Sequence, residues 1–254
     1  MINKIVNKDI TLDEAIHKYS LESDPNFAFT SCTTFIKYFF KVFDTIGIAN
    51  KLVLNHPNYI GMTPQELTEA WDKKAEEGTY VHNEIDKYIR NYDVPKLDKS
   101  ILAVNWINNY LNNGSEVYSE IIVFAKELQL AGTIDLLAYN KSTDSYEIFD
   151  WKTSRKIEKS SYGNKMGTTR ATSNMMDCNF IHYSLQLSLY RYILEKYYNL
   201  SISKTTILHI SDTEVINHES IYYKTEIEEM LKYDIKPLQK KAEESLTKEY
   251  INPF

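Results

Sequence analysis

Residues 116–152 read EVYSEIIVFAKELQLAGTIDLLAYNKSTDSYEIFDWK. Three runs rich in Val, Ile, Tyr and Phe, at 117–126, 130–140 and 145–152, are separated by short polar breaks. That pattern predicts three consecutive strands in an antiparallel meander with tight connections. Two aspartates, Asp135 and Asp150, stand inside the apolar strand patterns. A carboxylate in a strand interior is costly unless it is paired, solvated or bound to metal. Side chains alternate along a strand, so Asp150 and Lys152 share one face and Trp151 takes the other. If the last two strands are neighbours, Asp135 can converge on the Asp150 face, and two carboxylates and one amine surround a pocket.

That set suits one reaction type. Carboxylates are hard oxygen ligands for Mg²⁺, which keeps several waters and is bound through carboxylates and phosphate oxygens. The metal acidifies a bound water and neutralises charge growing on a phosphate. A neighbouring lysine orients or deprotonates the attacking water, or stabilises the transition state. A lone Asp-x-Lys is more often a surface ion pair on an edge strand. The second strand aspartate, with Gly132 three residues before it, brings the two readings to near parity.

Working outward, Ser31–Ile46 carries Phe35, Ile36, Phe39, Phe40, Phe43 and Ile46 at three- and four-residue spacing, which predicts one helix capped by Ser31 or Thr33. Thr63-Pro64-Gln65-Glu66 is a capping box with Pro at the first helical position, opening a helix to about Tyr92 with Gly78 as its weak point. Leu97–Leu111 predicts another helix, stopped by Asn112-Asn113-Gly114. Beyond the meander, 160–177 reads as a loop, Phe180–Tyr198 as a helix, Lys204–His209 and Glu214–Tyr223 as strands, and Thr225–Leu246 as a closing amphipathic helix. The first thirty residues show only weak patterning. The expected fold is α/β: a mixed central sheet with an antiparallel three-strand run, flanked by helices. We expect a single domain over 1–254, with a mainly helical part at 1–115, an α/β core at 116–223 and a C-terminal helix at 224–254.

The spacing of Gly132-x-x-Asp135 and Asp150-Trp151-Lys152, fifteen residues apart, resembles the metal site of the PD-(D/E)XK nuclease superfamily. Upstream, Gly78-Thr-Tyr-Val-His82-Asn-Glu-Ile-Asp86 resembles the GTxxH helix of the RecB-like exonuclease branch, and downstream Gln186-Leu-Ser-Leu-Tyr190 resembles its QxxxY helix. These matches span roughly residues 78–198 in the expected order. Two departures are Ile134 in place of the literal proline before Asp135, and Asp86 where a glutamate is common, which leaves the role of Asp86 open. The resemblance implies a restriction-endonuclease-like core. It implies Mg²⁺ or Mn²⁺, as one or two ions, held by His82, Asp135, Asp150 and the Trp151 backbone carbonyl. It also implies that Lys152 acts on the water, and that Gln186 and Tyr190 line the groove and steady the lysine or the scissile strand. Read from pattern alone, His82 and Asp86 pair on a solvated helix face, Tyr190 belongs to a core stripe, and Glu120 is a surface strand residue with an outer metal carboxylate as the alternative.

Residues 152–172 carry Lys152, Arg155, Lys156, Lys159, Lys165 and Arg170 against Glu158, a local net of +5. Gly163 and Gly167 suggest a flexible loop, and Tyr162 offers a stacking surface. Cations with an aromatic beside a metal site are what single-stranded nucleic acid needs, although a charged loop is more often only solvated.

The whole chain has 254 residues, 29 Lys+Arg and 35 Asp+Glu, a net charge of −6 that excludes a protein built to coat nucleic acid. Cys32 and Cys178 are too few for a four-Cys iron–sulfur cluster and lack metal-site spacing. No apolar run predicts a membrane span or signal peptide, so we expect a cytoplasmic protein. No GxxxxGK[ST] is present, so no ATP site is expected, and any helicase or polymerase would be a separate partner. The expectation is a metal-dependent deoxyribonuclease, an exonuclease on single-stranded or end-containing DNA. An RNA endonuclease using the same site and a non-catalytic nucleic-acid-binding scaffold are the alternatives.

Overall fold

The computed structural model describes residues 5–251. A hairpin of β1 (Ile10–Asp13) and β2 (Lys18–Leu21) is followed by the short β3 (Thr30–Ser31) and four helices, α1 (Cys32–Lys37), α2 (Thr45–Asn55), α3 (Pro64–Asn91) and α4 (Asp98–Leu111). Next come the meander β4 (Glu116–Ala125), β5 (Leu130–Asn140) and β6 (Ser145–Lys152), then α5 (Asn179–Tyr197), β7 (Ile202–Ile210) and β8 (Val215–Glu219). Two helices, α6 (Lys224–Met230) and α7 (Lys236–Ile251), close the chain.

The meander forms as its β-branched and aromatic runs predict. β4 pairs antiparallel with β5 over most of its length, from Glu116↔Tyr139 to Ala125↔Leu130. With that edge of β5 taken, the other edge holds β3 in parallel at Leu130–Ala131 and β6 antiparallel at Leu136–Asn140. β7 joins β6 in parallel and β8 closes the sheet antiparallel to β7. Among the described residues, positions 132–135 of β5 have no ladder partner on that second edge. The sheet is therefore split there, between β5 and β6.

One face of the sheet is covered by α1, α5 and α6, where Phe35, Phe39, Leu185, Leu189 and Ile227 pack on Val123, Ile134 and Ile148. The other is covered by α3 and α4, with Val81, Ile85, Ala103 and Ile107 against Leu136, Phe149, Trp151 and Leu208. The β1–β2 hairpin packs Ile10, Tyr19 and Leu21 on Ala131, with Ile122 and Phe124 alongside.

The sequence misreads four segments. The helix expected over 31–46 stops at Lys37, because Phe39 and Phe40 leave helical geometry to plug into the core, and α2 restarts behind an N-cap from Asp44 to the Gly47 amide. Its Phe43 and Ile46 are exposed. The first thirty residues hold a hairpin whose four-residue strands are too short for their alternation to stand out. The closing helix is broken at 231–235 into α6 and α7, and the last strand is limited to 215–219. Residues 1–4 and 252–254 of the expected terminal parts lie outside the described residues.

Helix α3 is as the capping box predicts. The Thr63 side chain accepts from the Glu66 amide while Glu66 accepts from the Thr63 amide at 2.7 Å, and Tyr92 closes the helix in left-handed geometry. It runs unbroken through Gly78, where a Cβ would meet Thr153 Oγ1 at 2.9 Å. Glycine lets the helix lie directly on the end of β6, one turn before His82.

Candidate active site

The split in the sheet is where the polar groups collect. The β5–β6 ladder ends at Leu136↔Phe149, and two residues further along β6 the Trp151 amide donates instead to Asp135 Oδ2 at 2.8 Å. A side-chain carboxylate thus replaces a backbone carbonyl, and the strands separate around it.

Strand alternation slips in step on β4 and β5. Tyr118 and Ile121 both contact the α5-side core, as do Ile134 and Leu137, so two residues separate successive inward side chains on each strand instead of one. The displaced residues are Ser119–Glu120 and Asp135–Leu136. On β4 the slip is made by Glu120, whose φ of +49° is left-handed inside a strand. A non-glycine residue takes that geometry only where its surroundings impose it. Register is kept, with Ser119 opposite Leu136 and Ile121 opposite Ile134, so Glu120 lies across from Asp135.

Helix α3 brings His82 to the same place. His82 Nδ1 is 3.7 Å from Asp135 Oδ2, and ligand atoms of His82, Glu120 and Asp135 all lie within 4.8 Å of one another. An imidazole and two carboxylates converging at this distance fit a divalent cation of the Mg²⁺ or Mn²⁺ type. Electrostatics agree with that fit. Burial, then repulsion from Asp135 and Asp86, pushes Glu120 up to about 9. Asp135 is also raised by burial, against the pull of Lys152 and the Trp151 amide. Burial, then Lys152, holds His82 down at about 4, which keeps its ring neutral and free to ligate near pH 7. The Trp151 backbone, acting as an acceptor, works in the opposite direction on His82, so its carbonyl borders the cluster.

Asp150 sits across the split and is differently engaged. It is 2 % exposed; Oδ2 pairs with Lys152 Nζ at 2.6 Å, and Oδ1 accepts from Gln186 Nε2 at 3.0 Å. Burial pushes it up to about 6, against Lys152. For Lys152, burial alone would lower the pKa, but Asp150 and Asp135 outweigh it and the amine stays above its usual range. The Lys152 ammonium also lies 4.7 Å from the centre of the Tyr183 ring, a contact that the sequence did not single out.

Gln186 and Tyr190 reach the site through Asp150. Both are buried, and Gln186 Nε2 also reaches Tyr190 Oη at 3.2 Å, so together they brace Asp150 from α5. Tyr190 packs so closely on Gly132 that a Cβ at that glycine would overlap its ring. Glu120, read from pattern as a surface residue, is half-buried and faces the cluster. Asp135 reaches Asp150 by way of the split, because the slip at 135–136 takes it off simple alternation. Asp86 pairs with Arg90 and Ser119 and not with His82.

Arg155, Lys156, Lys159, Tyr162, Lys165 and Arg170 are all exposed on the segment after Lys152. Lys156 has Glu158 at 4.0 Å, and Lys159 lies over the Phe180 ring. Gly167 is hydrogen-bonded and closely packed. Its amide donates to the Met175 carbonyl, a Cβ would overlap buried Thr172, and Thr168 N and Thr172 Oγ1 both donate to the Phe39 carbonyl. The segment is tied down at its second half, with Tyr162 almost fully free at its tip.

No helix among the described residues is long and apolar enough to cross a membrane. Cys32 and Cys178 are free and buried. No curated protein matches the chain. A solved structure titled "Crystal structure of SSO0001" aligns over 62 % of this chain and 87 % of that one, at 11 % identity and a TM-score of 0.29. The sequence model of the PD-(D/E)XK nuclease superfamily matches residues 55–250, a span that contains His82, Glu120, Asp135, Asp150, Lys152 and the Gln186 helix, and the chain belongs to that superfamily.

Proposed function

We propose that the protein is a divalent-metal-dependent deoxyribonuclease that removes nucleotides from single-stranded or end-containing DNA. The observation that carries the hydrolytic part is the convergence of His82, Glu120 and Asp135 beside the Asp150–Lys152 pair. The resemblance of 78–86 and 186–190 to the RecB-like motifs supports the preference for DNA ends. In this reading His82, Asp135 and Glu120 hold Mg²⁺ or Mn²⁺, with Asp150 and the Trp151 carbonyl bordering the ion.

When bound, the ion supplies Lewis acidity at the scissile phosphate and a more acidic water. Lys152 is an ammonium while paired to Asp150, so its contribution is positive charge and donated hydrogen bonds to a phosphate oxygen or the attacking water. Asp150 fixes that ammonium, and Gln186, backed by Tyr190, fixes Asp150. Burial of Asp150 and Tyr190 limits water around the pair and strengthens its field. Arg155, Lys156, Lys159, Lys165 and Arg170 grip the sugar–phosphate chain, and Tyr162 stacks on a base. Separate helicases or polymerases would supply the strand.

The test is incubation of 5′- and 3′-labelled single- and double-stranded DNA, circular DNA and the matching RNAs with Mg²⁺ or Mn²⁺. A mononucleotide or short-product ladder from linear DNA, absent from circles, supports the proposal. Preferential cleavage of circular RNA would replace it with an RNA endonuclease. Failure to bind either cation by calorimetry would leave a nucleic-acid-binding scaffold.

A further inference from the structure

One group beside the site has no place in the mechanism above. Helix α3 carries Asp86 and Arg90 one and two turns beyond His82, on the same face. Arg90 Nε donates to Asp86 Oδ1 at 2.6 Å, the Ser119 hydroxyl donates to the same oxygen, and Arg90 NH2 donates to the Ser119 carbonyl at 3.3 Å. Ser119 is buried at 5 % exposure, and its carbonyl opens the peptide that leads into Glu120. The residue immediately after this clamp is therefore the one with left-handed backbone, on a strand where regular alternation would turn its side chain toward α5.

From these contacts we infer that Asp86 and Arg90 are positioning residues: they hold the Ser119–Glu120 peptide in its left-handed kink and so keep the Glu120 carboxylate beside His82 and Asp135. This inference rests on the metal-site reading above. Two cluster groups are then set from a single helix, His82 directly and Glu120 through the clamp, so the distance between them follows the placement of α3 on β4. Asp86 has a dual position, since it also lies close enough to Glu120 to repel it, while Arg90 attracts it. Lysine could not reproduce the clamp, because one ammonium on a flexible stem lacks the planar fork that spans a carboxylate and a carbonyl.

The test reads Mn²⁺ binding to the full chain by calorimetry, with circular dichroism melts of the metal-free protein as the control for folding. Arg90→Met is expected to weaken Mn²⁺ binding about tenfold and Arg90→Lys by a smaller factor, while the metal-free melting temperature stays close to that of the parent, since the Arg90 side chain is more than half exposed. Glu120→Gln should weaken binding by a similar factor, and combining it with Arg90→Met should add little, as expected of residues acting through one another. Wild-type Mn²⁺ affinity in both Arg90 variants, alongside loss in Asp135→Ala, overturns the clamp and leaves the metal site standing. Wild-type affinity in Asp135→Ala itself overturns the metal site, and the clamp with it. Should Arg90→Met fail to fold, Arg90→Lys and Ser119→Ala decide the question by the same measurement.

Discussion

At the scale of single residues, Asp150 decides how the site can be probed. Its carboxylate is nearly inaccessible and is the counter-ion of a Lys152 side chain that is itself only 18 % exposed. Alanine at 150 removes a ligand for Gln186 and strands a buried ammonium, which costs about 3 kcal/mol where it cannot rehydrate. Asp150→Ala is therefore expected to lose both cleavage and stability. Asp150→Asn keeps the shape and an acceptor for Gln186. It should lower kcat by at least about 100-fold, the scale of losing one preorganised charge, and recover only the packing part of the stability loss, since Lys152 still lacks its counter-charge. Cleavage at the parent rate in a clean Asp150→Asn preparation would remove Asp150 from the chemistry. Residues of this kind were legible because their cost is visible in one dimension: an aspartate inside an apolar strand asks for an explanation. Glu120 was legible only as the second reading, because an isolated acid on a strand is usually a solvated one. The signal that could have found it is local, since Ser119-Glu120 are two consecutive polar residues interrupting an otherwise apolar VY–IIVFA run. Arg90 and Tyr183 left no such trace, because their contacts cross between elements.

At the scale of elements, α3 sets the site through its contact with the end of β6. Glycine within a helix normally costs about 1 kcal/mol relative to alanine, yet here the absent Cβ is what allows the approach to Thr153. Alanine would meet only a hydroxyl at 2.9 Å, which can turn away, so Gly78→Ala is expected to change melting temperature little. Gly78→Val forces α3 off the strand and carries His82 with it. It should reduce Mn²⁺ affinity and cleavage at least about tenfold while the helix content by circular dichroism is retained; unchanged cleavage would show that His82 is placed by other contacts. The elements themselves were readable to the extent that each announced its own ends. The capping box fixed the start of α3, Asn112-Asn113-Gly114 followed α4, and the polar breaks divided the three meander strands. Helix α1 was overextended because Phe39, Phe40 and Phe43 continue its three- and four-residue spacing after the helix has ended, and only tertiary burial of the first two distinguishes them. Between α6 and α7 a local signal was present and passed over, since Pro237 stands at the second position of α7 and Asp234 accepts from the Lys236 amide.

At the scale of the whole molecule, charge organises what the average conceals. A net of −6 includes a segment at 152–172 of +5, so the remainder carries −11. Some of that excess is concentrated where Asp135 and Asp86 lie close enough to repel Glu120. A divalent cation relieves this repulsion only in the folded state. Millimolar Mn²⁺ should therefore raise the melting temperature of the parent by several degrees, following RT ln(1 + [M]/Kd), and should not raise that of Asp135→Ala. Equal shifts in the two proteins would assign the effect to general screening.

The basic segment is the complementary half of this arrangement, and its exposure makes it separable from the chemistry. Arg155, Lys156 and Lys165 are exposed side chains on the segment that leaves Lys152, and Tyr162 at its tip is 93 % exposed. Each lysine or arginine that neutralises a phosphate releases a counter-ion, and on single-stranded nucleic acid that contributes about 0.7 to the slope of log K against log salt. Arg155→Ala, Lys156→Ala and Lys165→Ala combined should then lower that slope by about 2 for a single-stranded oligonucleotide bound to the Asp150→Asn protein, where no cleavage confuses the measurement. Tyr162→Ala should weaken binding by about 1–3 kcal/mol, as loss of a stacked base does, with the salt slope unchanged. Charge and stacking are thus distinguished by one titration series. A triple variant with the parent's slope would show that these cations are merely solvated, and would move the nucleic-acid path away from the segment beside Lys152 to another surface of the fold.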